Sequence, residues 1–216
     1  MSYRGRVSPG SPDVHELAHL IVTKASVGPM DNDTYLLRCR ETDQQVLIDA
    51  ANEAKVILEL VGESGLETVI TTHQHGDHWQ ALASVVEATG AATVAGTDDV
   101  DGIPVPTSRP VINGDTIPVG TCTLEVIHLV GHTPGSIALL YDDPDGSPHL
   151  FTGDSLFPGG PGKTSSAQDF SSLIGDLEQK IFARLPDETW VYPGHGNDTT
   201  LGDERPHLAE WRARGW

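Results

Sequence analysis

The spacing of apolar positions along the chain changes period several times, and each change marks a predicted element. Residues 19–27, 34–39 and 45–49 are short runs rich in Val, Leu, Ile, Thr and Tyr between polar turns, and they predict three strands. Residues 53–61 switch to helical spacing, with Val56, Ile57, Leu60 and Val61 near one face and Gly62 at the end. Residues 66–71 return to a buried strand. Residues 79–89 predict a second helix, with Ala81, Leu82, Val85 and Val86 on one face and Gly90 as its stop. The Pro- and Asp-rich stretch 96–118 predicts loops with short strands. Further strands follow at 123–129, 136–141 and 149–152. Residues 169–185 predict a helix carrying Phe170, Leu173, Ile174, Leu177, Ile181 and Phe182 near one face. A short strand at 189–192 and a closing helix from 203 or 204 to 214 complete the pattern, with Pro206 suited to a first helical turn. Residues 1–17, rich in Ser, Pro and Gly, are expected to be loosely held. No repeat or low-complexity tract interrupts the chain.

The strand at 66–71 runs directly into Thr72-His73-Gln74-His75-Gly76-Asp77-His78. Imidazole and carboxylate are the ligands that zinc, iron and manganese take. In an extended segment His73 and His75 share a side, and Gly76 permits a turn that brings Asp77 and His78 back toward them. Asp77 also precedes the second helix, where an aspartate can serve as a cap; a cap leaves the flanking histidines unexplained.

Three further residues stand just beyond predicted strands, each after a glycine: His132 in Gly131-His132-Thr133-Pro134, Asp154 in Gly153-Asp154-Ser155, and His195 in Gly194-His195-Gly196. The glycines are expected to keep bulk away from ligands that share an ion. The set divides evenly. His73, His75 and His132 would hold one divalent ion, Asp77, His78 and His195 a second, and Asp154 would bridge them with one oxygen to each. Positions left open to water are what a catalytic site requires, and a water shared by ions ~3.5–4 Å apart ionises near neutral pH. His15, His19, His128, His149 and His207 have no such setting and are read as structural or surface residues. Thr133 and Ser136 read as turn residues.

Composition narrows the function. The 216 residues suit a single domain, 1–216. A formal net charge of −18 argues against nucleic-acid partners and against docking on an anionic membrane. No apolar run is long enough for a membrane helix and no secretory signal is visible, so a cytoplasmic protein is expected. Cys39 and Cys122, far apart in sequence, give no disulfide framework and are expected as reduced, buried thiols.

The ordered series His-x-His-x-Asp-His, Gly-His, Gly-Asp, Gly-His, over residues 19–200, resembles the metallo-β-lactamase-fold hydrolase superfamily. The resemblance implies an α/β fold, an αββα sandwich of two mixed sheets flanked by helices, with the metals at one edge between the sheets. Asp154 speaks against true metallo-β-lactamases, which lack a bridging aspartate. The nuclease branch carries a large insertion for which there is no room. Thr152-Gly153-Asp154-Ser155-Leu156-Phe157 followed by Pro158-Gly159-Gly160-Pro161-Gly162-Lys163 is similar to glyoxalase II (hydroxyacylglutathione hydrolase), in which this lysine contacts glutathione. Thr164 and Ser165 stand where that family has an aromatic residue after the lysine, and Gly196-Asn197 where it has Glu-Tyr. Only 21 residues follow His195, so no separate glutathione-binding domain is expected, as in short bacterial glyoxalase II-like proteins.

The resemblance implies cleavage of a thioester or ester by a metal-bridging hydroxide. Asp77 and Asp154 would orient the water and help accept its proton, and Lys163 is the substrate-binding candidate. Two divalent ions are implied, zinc first, with iron or manganese as alternatives. The expected partner is a small-molecule substrate such as a glutathione thioester, acting on a monomer or small homo-oligomer. The competing activities are a persulfide dioxygenase, which shares these residues but binds a single iron through two histidines and the aspartate, and a lactonase on the same two-metal set, with a metal-stabilised protein lacking catalysis as the third.

Overall fold

The computed structural model of the protein describes residues 3–215. Its first sheet contains β1 (Asp13–Glu16), β2 (Leu20–Val27), β3 (Asn32–Cys39), β4 (Gln45–Ile48), β5 (Thr68–Thr71), β6 (Ala92–Gly96) and β7 (Arg109–Val111), paired in that order. β1 to β4 are antiparallel and β4 to β7 parallel. The second sheet contains β8 (Thr116–Val119), β9 (Cys122–His128), β10 (Ile137–Tyr141) and β11 (His149–Gly153), paired as antiparallel neighbours. A small hairpin, β12 (Leu156–Phe157) and β13 (Gly160–Pro161), follows. β14 (Trp190–Pro193) then joins β11 in parallel, and β15 (Thr199–Thr200) closes the edge antiparallel to β14. Both large sheets are therefore mixed.

Alternation along the strands builds three apolar layers. Tyr35, Leu37, Val46, Ile48 and Ile70 of the first sheet meet Leu124, Val126, Leu139, Phe151 and Tyr192 of the second in the central layer. Their neighbours Leu36, Leu47 and Val69 face outward onto Ile57 and Val61 of α1 (Ala54–Val61) and Leu82 and Val85 of α2 (Leu82–Thr89). Ile127, Ala138, Leu140, Leu150 and Val191 face the other way, onto Phe170, Leu173 and Ile174 of α3 (Ala167–Asp176) and Trp211 of the closing helix. Each large side chain buried this way contributes ~1.5–3 kcal/mol. The architecture is the expected αββα sandwich.

The departures are local. The segment expected to be loosely held is packed from residue 3 onward, with residues 1–2 outside the described part. β1 pairs with β2, Tyr3 donates to Asp198 at 2.5 Å, and His15 stacks on Tyr3 at 4.4 Å. Its polar composition hid partners that lie almost the whole chain away. β6 falls in an Ala-rich stretch with little strand character. α3 starts at Ala167 because Ser166, not a residue nearer 169, caps it by accepting the Asp169 N–H. It then widens into a π-helical turn over Leu177–Phe182. The closing helix starts earlier, at Leu201 behind the Thr200 cap, and breaks at Arg205–His207 around Pro206 before resuming over Leu208–Arg214.

Candidate metal centre

Strand ends from both sheets deliver the predicted ligands to one edge of the sandwich. β5 leads into His73, His75, Asp77 and His78; β9 leads toward His132; β11 and β14 lead into Asp154 and His195. Two backbone hydrogen bonds close the sheets together there, Ile137 N–H to Thr72 O at 3.0 Å and Asp33 N–H to Gly194 O at 2.8 Å.

His73 Nε2, His75 Nδ1 and His132 Nε2 form a triangle with sides of 3.1, 2.9 and 3.2 Å. A tetrahedral zinc with bonds of ~2.0–2.1 Å to nitrogen requires donors about 3.3 Å apart. Three nitrogens converging on one point cannot all be satisfied by hydrogen bonds to one another, and a cation satisfies them together. The second group is as close: His78 Nε2 lies 3.3 Å from His195 Nε2, and Asp77 Oδ2 lies 3.3 Å from His195 Nε2 and 3.7 Å from His78 Nε2. Asp154 stands between them. Its Oδ2 is 3.6 Å from His132 Nε2 and 3.5 Å from His195 Nε2, and its Oδ1 is 3.3 Å from His78 Nε2. One oxygen thus faces both groups, where one oxygen per ion was expected. Oδ1 is buried with no hydrogen bond among the described residues, and a cation held here would satisfy it.

The nitrogens facing away from the centre are mostly held by oxygens, which sets the ring orientation. His78 Nδ1 meets Asp49 Oδ2 at 2.8 Å, His132 Nδ1 meets Lys163 O at 2.6 Å, His195 Nδ1 meets Met30 O at 3.0 Å, and His73 Nδ1 meets Thr72 Oγ1 at 3.1 Å. Lys163 therefore enters the site through its backbone carbonyl, while its side chain is exposed. Asn32 Nδ2 donates to Asp77 O and Oδ2 at 3.0 and 3.1 Å. Asp77 does not cap a helix: α2 starts at Leu82 without a side-chain cap.

Burial pushes the imidazoles of His73 and His132 below their ordinary range, leaving lone pairs free to ligate. Burial would also raise Asp154, but His195 and His78 outweigh it and hold the carboxyl well below the usual range. Burial alone would lower His78, yet the Asp49 and Asp154 carboxylates push it up to about 10, so a proton there competes with a cation.

Three supporting residues are absent from the sequence reading. Asp49 takes the N–H and hydroxyl of Thr72 at 2.7 and 2.8 Å besides His78, from a left-handed backbone with φ 56°. Its signal is a charged residue ending a strand buried on both faces. Asp99, buried in the loop after β6, takes Gln74 N–H at 2.9 Å, Thr133 Oγ1–H at 2.5 Å and Gly135 N–H at 2.7 Å, tying the histidine cluster to the His132 loop. Lys24, fully buried, donates to Gly196 O and Asp198 Oδ1 at 2.6 Å each and lies 3.0 Å from Asp33 Oδ2, anchoring the chain after His195. Thr133 and Ser136 are buried partners in this support, their hydroxyls 2.5 Å apart. Trp79 donates to Gln74 O at 2.8 Å and packs against the first helix layer.

The three glycines before ligands act differently from one another. Only at Gly194 does a Cβ invade the centre, colliding with Asp154 Oδ1 and standing 2.7 Å from His78 Cε1. At Gly131 it would meet the α3 backbone, and at Gly153, with φ 48°, the Thr72 side chain at 2.7 Å.

The metallo-β-lactamase superfamily profile matches residues 27–195. A hydroxyacylglutathione hydrolase from Polaromonas sp. is 37% identical over 166 residues, which make up 76% of this chain and 62% of the relative. The chain thus spans about three fifths of that relative. The probable metallo-hydrolase YqgX of Bacillus subtilis is 31% identical over 206 residues, covering 84% of this chain and 94% of its own. Among solved structures, TTHA1623 in a di-iron-bound form superposes with a TM-score of 0.70 at 30% identity, over 84% of this chain and 96% of that one.

Proposed function

The chain belongs to the metallo-β-lactamase superfamily, and we propose that it is a metal-dependent hydrolase of thioesters or esters, similar in chemistry to hydroxyacylglutathione hydrolases. The observation that carries this reading is Asp154 Oδ2 lying 3.6 and 3.5 Å from a nitrogen of each three-ligand group. His73, His75 and His132 would hold one ion, Asp77, His78 and His195 the other, with Asp154 between. Zinc is the proposed metal; the histidine-rich set also suits iron or manganese. Two such ions, when bound, supply an ionised water and polarise the carbonyl under attack.

The protein's own groups perform the rest. Asp77, with a side chain 20% exposed, is the group proposed to orient a water and take up its proton, and Asp154, held well below the usual carboxylate range, helps to orient it. Asn32 fixes Asp77 Oδ2 in that position. The His75 side is exposed, and Asp77 and His195 keep side-chain exposures of 20% and 23%, so a substrate approaches across these three residues. Lys163, on the loop whose carbonyl holds His132, is the proposed contact for an anionic substrate such as a glutathione thioester. The chemistry needs no serine or cysteine nucleophile, and residues 1–216 are proposed to work as one domain around the shared central layer.

The test is hydrolysis of lactoylglutathione and simple thioesters by the wild-type protein and by His75→Ala and Asp154→Ala. Both variants should lose turnover while retaining the wild-type circular dichroism. Unchanged turnover in both, or oxygen uptake with glutathione persulfide in place of hydrolysis, overturns the proposal.

A further inference from the structure

The two cysteines, far apart in sequence, stand together at the edge opposite the metal centre. Cys39 ends β3 in the first sheet, and Cys122 begins β9 in the second. β3 starts at Asn32, beside Asp77, and its length of 8 residues separates its two ends by about 25 Å. Cys39 Sγ lies 3.4 Å from Oγ1 of Thr121, the residue preceding Cys122. The His19 carbonyl takes the Arg40 N–H at 2.9 Å and the Cys122 thiol at 3.6 Å, so it binds both Cys122 and the neighbour of Cys39. The turn between β8 and β9 presses onto Cys39: a Cβ on Gly120 would stand 2.6 Å from Cys39 Cβ. Both side chains belong to the same buried cluster between the sheets.

Their surroundings differ. Cys39 is wholly buried, which opposes ionisation, but hydrogen bonds from Thr121 and Thr42 pull its thiol down to about 6. Cys122 lines a cavity of about 510 Å³ together with His19, Tyr141, Asp142 and Pro144. Burial pushes the Cys122 thiol up. Access therefore selects Cys122 for a first reaction, and acidity favours Cys39 in a second.

We propose that Cys39 and Cys122 are a thiol–disulfide pair, closed by a low-molecular-weight disulfide that enters this cavity, and that closure links the two sheets covalently. In the first step the Cys122 sulfur attacks one sulfur of the small disulfide. The S–S bond breaks, a mixed disulfide forms on Cys122, and the departing thiolate takes the Cys122 proton. In the second step Cys39 attacks the Cys122 sulfur and expels the other half as a thiol carrying the Cys39 proton. Two protein thiols are oxidised and one small disulfide is reduced to two thiols. The pair is independent of the metal centre and of the hydrolase reading.

Incubation of the full chain with glutathione disulfide, followed by intact-mass measurement and peptide mapping, tests the proposal. The wild-type protein should lose two hydrogens, yield one linked peptide pair containing Cys39 and Cys122, and melt at a higher temperature until reduced. Cys39→Ser should stop at a glutathione adduct on Cys122, and Cys122→Ser should stay unmodified. A wild-type mass unchanged by the oxidant, a glutathione adduct that never closes, or a disulfide formed only between chains overturns the proposal whether or not the variants fold.

Discussion

The Asp49 carboxylate holds His78 through a 2.8 Å contact between Oδ2 and Nδ1, and the same group fixes Thr72 by its N–H and hydroxyl. One side chain at the end of β4 thus orients a proposed ligand and the junction at which β5 becomes the histidine cluster. It is 2% exposed, so its charge is matched by these partners and not by water.

Replacing Asp49 leaves the His78 ring without its orienting acceptor. Asp49→Ala is expected to lower metal affinity at the Asp77–His78–His195 group by ~10–100-fold, the usual effect of removing a partner of a ligating histidine. Asp49→Asn should fall between it and the wild type. Competition against a chromogenic chelator measures both, and wild-type affinity in Asp49→Ala would reject the role.

Gly194 is the position where a single methyl group enters the centre. Gly194→Ala should displace Asp154 and His78, because the new Cβ collides with Asp154 Oδ1. Hydrolysis is expected to drop by ~100-fold or more, the scale on which small misplacements act. Gly196→Ala is the comparison: nothing lies within 4 Å of its Cβ, although its φ of 73° strains an alanine. Steady-state kinetics on the two variants should separate collision from backbone strain.

Lys24 is the cation between two buried carboxyl groups, at 3.0 Å from Asp33 and 2.6 Å from Asp198. Lys24→Met strands both, and breaking such a buried group costs about 3–5 kcal/mol. Urea denaturation of the variant should show that loss. The double variant Lys24→Met/Asp33→Asn should recover part of it.

Acid stability should carry the mark of His149, which meets the Tyr192 hydroxyl at 2.9 Å between the sheets. Burial, helped by His15, lowers its imidazole from 6.5 to about 4. Between those values the unfolded chain binds the proton and the folded one does not, so stability is present above pH 6.5 and is lost as pH falls toward 4. The contribution is at most about 3 kcal/mol. Asp33 acts in the opposite sense, since burial raises its carboxyl to about 8 and the folded state gains a proton as pH falls. The difference between wild type and His149→Phe therefore isolates the histidine: the stability of the wild type relative to the variant should fall as pH drops from 6.5 to 4.

The side chains proposed as metal ligands could be read from the chain because their chemistry is carried by residue type and close spacing. Asp49, Asp99 and Lys24 could not. Their roles depend on partners brought close by sheet pairing: Thr72 and His78 for Asp49, Gly135 for Asp99, Gly196 for Lys24. The same holds for the packed segment after residue 3, whose Tyr3 and His15 find Asp198 and Tyr192. Strand alternation fixed the three layers without such contacts, since Leu47 and Ile48 declare opposite faces by adjacency alone. The glycines before the ligands were visible, but only the fold separates the one that guards the centre, Gly194, from Gly131, which admits α3.

Seven side chains are proposed to hold two ions with Asp154 between them. Calorimetric titration of chelator-stripped protein with zinc at neutral pH tests it most directly, on wild type and Asp154→Ala in parallel. Two ions should bind per wild-type chain, and the variant should lose tight binding of at least one of them. No tight binding by the wild type, or two ions held unchanged by Asp154→Ala, would contradict it.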